Sequence, residues 1–157
     1  MKVLFIHPPV REDDTPNNVP IGLGWIASVM HNEGHEVEIL DINAWRYTKE
    51  QVVDILRNKG KDFDIFGISG MITTYNYVKW LQNTLKQMYP EKLVVNGGAG
   101  PTSIPHLYLK NGSDVVAVGE GELTMLDLAD VVQNKSDLGN VEGIVWKHDG
   151  AIITNAP

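Results

Sequence analysis

Val94-Val95-Asn96-Gly97-Gly98-Ala99-Gly100-Pro101-Thr102 is an apolar run that stops abruptly in a cluster of small residues. Val115-Val116-Ala117-Val118-Gly119-Glu120-Gly121-Glu122 repeats the plan, and a helical pattern over 123–133 follows it. Short apolar runs of this kind read as strands buried on both faces, as in a parallel sheet. Two more precede them. Residues 3–6 run into His7-Pro8-Pro9, and residues 65–69 run into Gly70-Met71-Ile72-Thr73-Thr74. In an α/β chain the loops that leave the strands all emerge on one edge of the sheet. Four loops thin enough to let backbone approach a ligand therefore line one crevice.

The remaining segments fit this frame. Residues 21–33 place Leu23, Ile26, Ala27 and Met30 on one helical face, and 36–41 read as a further strand. Residues 49–59 are helical behind Thr48 as cap, and 75–89 carry Val78, Leu81, Leu85 and Met88 on one stripe. Strands are expected over 93–96 and 114–118. Gly34, Gly60 and Gly112 read as left-handed helix caps. His148-Asp149-Gly150 lies between two β runs, 143–146 and 151–154, and signals a hairpin. The expected fold is a flavodoxin-like, doubly wound α/β sheet of about five parallel strands in three αβα layers, ending in that hairpin. Residues 1–140 form the α/β domain, and 141–157 form the hairpin and a boundary toward another domain. Residues 11–20 are the longest irregular stretch and read as a flap over the sheet edge, with Asp13 and Asp14 as solvated loop charges.

Composition excludes several classes. A length of 157 residues suits one domain. A net charge of −7 without any basic patch argues against nucleic acid as partner. The absence of cysteine removes disulfides, thiolate metal sites and any cluster ligated by this chain. Apolar runs are too short to span a membrane, and Pro8-Pro9 with the charges after them end the run from Met1 too early for a signal peptide. A cytoplasmic protein is expected. Gly22, Gly24 and Ala27 have dinucleotide-fingerprint spacing but lie too far from the first strand. There is no phosphate-binding Gly-x-x-x-x-Gly-Lys loop, no Gly-x-Ser-x-Gly elbow, and no nucleophile–base pair. His7 and Ser69 stand where a phosphoacceptor receiver would carry acids.

A family resemblance rests on these motifs in order. They are His7-Pro8-Pro9, then Pro20-Ile21-Gly22-Leu23-Gly24-Trp25, then Gly34-His35-Glu36-Val37. Asp64-Ile65-Phe66-Gly67-Ile68-Ser69, Asn96-Gly97-Gly98 and Gly119-Glu120-Gly121-Glu122 complete the set. The chain resembles the cobalamin-binding N-terminal domain of radical SAM enzymes over nearly its whole length. The resemblance implies cobalamin lying across the carboxyl edge. It also implies a partner domain, a radical SAM barrel that uses S-adenosylmethionine and an iron–sulfur cluster, often for methyl transfer. With no cysteine here, that cluster belongs outside this sequence.

The candidate cofactor-binding residues follow the loops. They are Pro8 and Pro9 after the first strand and Ile21, Gly22 and Leu23 at the first helix. Ser69, Gly70, Met71, Thr73 and Thr74 follow the third strand, although Thr73 or Thr74 also suits a helix cap. Gly97, Gly98, Pro101 and Thr102 come next, then Gly119, Glu120, Gly121 and Glu122. At least one of these two glutamates also serves the helix dipole. A β-branched residue at Gly97 or Gly98 is expected to block the ligand while leaving the fold largely intact. No catalytic residue and no metal ligand is assigned. The Asp-x-His-x-x-Gly motif that supplies a lower cobalt ligand in another cobalamin family is absent. His31 comes nearest, with Val29 in place of the acid. His7 reads as loop packing and hydrogen bonding rather than a cobalt bond. Cobalamin is therefore expected base-off with no protein histidine on the metal. The four tryptophans read as core or rim packing. Two rival readings stand beside this one: a family domain that only docks the barrel, and a stand-alone protein binding flavin or nucleotide.

Overall fold

The computed structural model describes residues 1–11 and 18–156. The flap expected over 11–20, with Asp13 and Asp14, lies outside the described residues except at its ends.

Apolar residues on both sides of the strands Lys2–His7, Ile65–Ser69, Leu93–Gly97 and Val115–Ala117 require cover on both sides. The strands are β1 (Lys2–His7), β2 (Glu36–Asp41), β3 (Ile65–Ser69), β4 (Leu93–Gly97), β5 (Val115–Ala117), β6 (Ile144–His148) and β7 (Ala151–Thr154). They form one sheet in the order β2-β1-β3-β4-β5-β6-β7. β1 to β5 are parallel, and β6 and β7 add on antiparallel as the expected hairpin. Asp149 and Gly150 both have positive φ, 48° and 82°, the requirement of a tight type I′ turn.

The helices are α1 (Ile21–Asn32), α2 (Ile42–Trp45), α3 (Lys49–Lys59), α4 (Tyr75–Met88), α5 (Ala99–Ser103), α6 (Pro105–Lys110) and α7 (Glu122–Asn134). Strand alternation divides the core in two. Val3, Phe5, Ile65, Val95, Val115 and Ala117 pack with α1 and α7. Leu4, Ile6, Phe66, Ile68, Val94 and Val116 pack with α3, α4 and α6. This is the three-layer arrangement. The connection from β1 leads to α1 on one face and that from β3 to α4 on the other. The chain therefore reverses direction between β1 and β3, where α/β sheets open their binding crevice.

Thr48 caps α3 in full. Its hydroxyl accepts from Gln51 N at 3.3 Å, and its own N–H donates to Gln51 Oε1 at 2.9 Å. Gly34 and Gly112 are left-handed as expected. Gly60 is not: its φ is −60°. Glycine is required there because an added Cβ would stand 2.6 Å from the Tyr89 ring. That ring is locked by its hydroxyl, which donates to Leu56 O at 2.7 Å.

Candidate functional site

The C-terminal ends of β3, β4 and β5 meet the start of α1 at the carboxyl edge, and together they enclose a cavity of about 220 Å³. Its floor is the α1/α7 face of the sheet: Phe5, Gly67, Ser69, Val95, Gly97 and Ala117. Its walls are the first turns of α1 and α7, through Gly22, Leu23, Ile26, Gly121, Glu122 and Met125, and Gly98, Gly119 and Glu120 also line it. Nine of the candidate residues therefore share one slot: Gly22, Leu23, Ser69, Gly97, Gly98, Gly119, Glu120, Gly121 and Glu122.

Phe5, Gly67, Val95, Ala117 and Met125 were not among the expected residues. They carry the period of ordinary core, and only Gly67, a glycine in a strand interior, signals a close approach. The approach is real, since a Cβ on Gly67 would lie 2.5 Å from the Phe5 ring. The Phe5 ring thus lies across the bare β3 backbone and levels the slot floor. Gly67→Ala should push the ring toward the slot and cost about 1–3 kcal/mol in a urea melt. A loss below ~0.5 kcal/mol would show that the ring has room to move.

The two adjacent glycines of β4 have different reasons to be there. Gly97 has an ordinary backbone, and the one neighbour of an added Cβ would be Ala117 Cβ at 3.9 Å. Gly98 has φ +95°, and a Cβ would meet Gly70 O at 2.8 Å. The expectation that either glycine tolerates a β-branched residue therefore holds for the geometry of Gly97 and fails for Gly98.

The other candidates frame the slot or lie beside it. Gly70 and Pro101 are buried against one another, and Gly70 ties β3 to β4. Gly70 N donates to Gly97 O at 2.9 Å, and Gly70 O accepts from Gly100 N at 3.1 Å. Thr102 Oγ1 accepts from Gly119 N at 3.5 Å, a long link between two loops. Pro9, Met71, Thr73 and Thr74 border a second hollow, shared with Val10, Arg11, Asn76 and Tyr77. Pro8 is buried and lines neither cavity. Thr74 precedes α4 without capping it. Its hydroxyl accepts from Met71 N at 3.0 Å and donates to Met71 O at 2.9 Å, closing the Met71 loop. Thr73 is exposed. Ile21 is 77% exposed at the mouth, and Trp25, Ile72 and Leu123 stand exposed near it. Of the tryptophans, Trp146 is core on the α1/α7 side, Trp80 is partly buried against the core on the other side, and Trp25 and Trp45 are exposed.

Sequence reasoning also missed Asn43. It is buried in α2; its Oδ1 accepts from Val10 N at 3.1 Å and its Nδ2 donates to Asn18 O at 3.4 Å. One side chain thereby holds Val10 and Asn18 together. His7 ends β1, is 5% exposed, and neither ring nitrogen has a hydrogen-bond partner. Burial pushes it below its ordinary value of 6.5, opposed more weakly by the Asp41 carboxylate, so the ring is neutral near pH 7. Among the described residues no group of three His, Cys, Asp or Glu side chains could hold a metal. No helix among them is long and apolar enough to cross a membrane.

Comparison with known proteins gives this edge its context. The anaerobic magnesium-protoporphyrin IX monomethyl ester cyclase of Synechocystis sp. is 28% identical over 166 residues, covering 100% of this chain and 33% of that protein. The cytidylyl-2-hydroxyethylphosphonate methyltransferase of Streptomyces wedmorensis is 32% identical over 172 residues, covering 96% of this chain and 32% of that protein. The chain thus spans about a third of the length of these curated relatives. The radical S-adenosylmethionine methyltransferase TsrM of Kitasatospora setae, solved with cobalamin and a [4Fe-4S] cluster bound, superposes with a TM-score of 0.84. At 18% identity it covers 99% of this chain and 29% of its own, and it shows the same fold. The model of the B12 binding domain matches residues 15–129, so the chain belongs to the B12-binding domain family.

Proposed function

We propose that this chain is the cobalamin-binding domain of a radical SAM enzyme, methyltransferase-like, and that it holds the corrinoid base-off with no protein histidine on cobalt. The slot carries this reading. It is mainly apolar, about 220 Å³, and opens on the edge where Gly97, Gly98 and Gly119 leave bare backbone. A corrin ring is too broad to enter and would lie across the edge. Its benzimidazole tail is a flat apolar bicycle, and burying it between sheet and helices would be favourable. A tail in the slot cannot also sit on the metal. His7 lines neither the slot nor the hollow beside it, and no Asp-x-His-x-x-Gly loop is present to supply a ligand from below.

Charge at α7 disfavours the flavin or nucleotide reading. A phosphate would seek a helix N-terminus at this edge. The first turn of α7 already carries Glu122, and Glu120 lies beside it in the slot lining. Two carboxylates there repel a phosphate seated at α7 and leave the neutral benzimidazole base unaffected; the phosphodiester of cobalamin is set off from that base by the ribose. For the partner domain, the exposed Ile21, Trp25, Ile72 and Leu123 around the mouth support a surface that something covers.

The test is spectroscopic. With the chain in excess, cob(II)alamin should give an electron paramagnetic resonance spectrum without nitrogen superhyperfine splitting. Flavin mononucleotide should not be retained on desalting. Splitting from a bound nitrogen would exclude the base-off arrangement, and failure to retain any corrinoid would leave the docking-only reading.

A further inference from the structure

We propose that His7 hydrogen-bonds the bound corrinoid through a peripheral carboxamide, as a positioning residue and not as a cobalt ligand; this rests on the cobalamin reading above. The first observation is the orphaned ring. Both nitrogens of a side chain that is 5% exposed lack any hydrogen-bond partner. Buried polar atoms left unpaired destabilise a fold, so a pair of them on one side chain calls for a partner that arrives later.

The second observation is where the ring stands. Across the carboxyl end of the sheet, β1 pairs with β2 through His7 and Asp41, and β3 pairs with β4 through Ser69 and Gly97. β1 and β3 are joined in register up to Ile6 and Ile68. One step further, His7 and Ser69 end the two strands between which the sheet reverses direction. By alternation His7 follows Val3 and Phe5 onto the α1/α7 side, the side that carries the slot. The orphaned imidazole thus stands at the switch point, one strand over from Ser69 on the slot floor.

The third observation is chemical. A neutral imidazole offers one N–H and one lone pair. A carboxamide can meet either nitrogen, its oxygen accepting from the N–H or its own N–H donating to the lone pair, and the corrin periphery carries several. A phosphate offers only acceptors, and an apolar ligand would leave both nitrogens unpaired. Asp41 Oδ1 is engaged by Ala44 N at 2.9 Å as the cap of α2, so this carboxylate has a structural task of its own.

The test uses His7→Leu and His7→Asn in this chain. His7→Leu should raise the unfolding midpoint of the ligand-free chain, because two unpaired buried nitrogens disappear. It should weaken hydroxocobalamin binding about tenfold, the scale of one hydrogen bond in a dry site. His7→Asn keeps a donor and an acceptor and should recover most of the affinity. The cob(II)alamin spectrum should be the same in all three proteins. Unchanged affinity in His7→Leu, with cobalamin still bound by the wild type, would overturn the inference alone. Nitrogen splitting in the wild type that vanishes in His7→Leu would overturn it in favour of a cobalt bond. A wild type that binds no corrinoid would remove both this inference and the reading it rests on.

Discussion

Gly97→Val should weaken corrinoid binding roughly ten- to a hundredfold while the chain remains folded, whereas Gly98→Val should chiefly destabilise the fold. At Gly97 the backbone is ordinary and strand-like, and a valine suits a strand. Its branches have nowhere to go but the slot, since the one neighbour of the new Cβ is Ala117 at 3.9 Å. Overfilling a closely packed apolar space costs about 1–3 kcal/mol, which is roughly ten- to a hundredfold in affinity. At Gly98 a valine meets two costs at once. Holding a β-branched residue at φ +95° costs about 1–3 kcal/mol, and its Cβ would press on the Gly70 carbonyl at 2.8 Å. That carbonyl cannot retreat, because it accepts from Gly100 N at 3.1 Å and its residue's own N–H is bonded to Gly97 O. Gly98→Val should therefore lose more than about 3 kcal/mol in a urea melt. Equal stability losses in the two variants would erase the distinction, and full affinity in Gly97→Val would remove the slot from the binding site.

This distinction also marks what the amino-acid sequence could tell. The strands and the long helices were legible because short continuous apolar runs and apolar stripes of period 3.6 are bounded by glycine and proline. The carboxyl edge was legible because loops of Gly, Pro, Ser and Thr cannot be core. Which glycine does what was not legible. Gly60 and Gly67 answer to single aromatic rings, Tyr89 and Phe5, that are far away along the chain. The helices α5 and α6 were hidden for a related reason. Gly100 and Pro101 argue against helix on propensity, and Ile104 and Pro105 break the run. Tertiary packing decides instead, since a Cβ on Gly100 would lie 2.7 Å from both the Tyr108 hydroxyl and the Met71 backbone. α2 is a single turn that exists because Asp41 caps it. The slot floor was hidden because residues that face an apolar ligand and residues that face a core follow the same alternation.

Gln82→Leu should be among the most destabilising single changes in the chain, although Gln82 touches no part of the slot. Gln82 and Asn96 are both fully buried. Gln82 Oε1 accepts from Asn96 Nδ2 at 2.9 Å, and Gln82 Nε2 donates to the carbonyls of Tyr108, at 3.0 Å, and Asn111. One amide therefore joins α4, the residue before Gly97, and the end of α6. A leucine of similar size leaves one buried N–H donor and the Asn111 carbonyl unpaired, while the Tyr108 carbonyl still accepts from Asn111 N at 3.0 Å and Ser113 N at 3.3 Å. At about 1–3 kcal/mol for each unsatisfied group, partly relieved by relaxation, the loss should reach ~2–4 kcal/mol. That is a large share of the 5–15 kcal/mol typical of a whole domain. Asn96 Oδ1 already lacks a partner, so the asparagine would then be wholly unpaired in the core. Adding Asn96→Leu should consequently restore part of the stability, because removing both partners costs less than stranding one. The strand end that Asn96 anchors carries Gly97, so corrinoid affinity should fall in Gln82→Leu and recover partially in the double variant. Urea melts of the two single variants and the double variant measure the coupling. Additive losses would show that the two amides act independently, and the Gly97 loop would then have to be held by the Gly70 bonds alone.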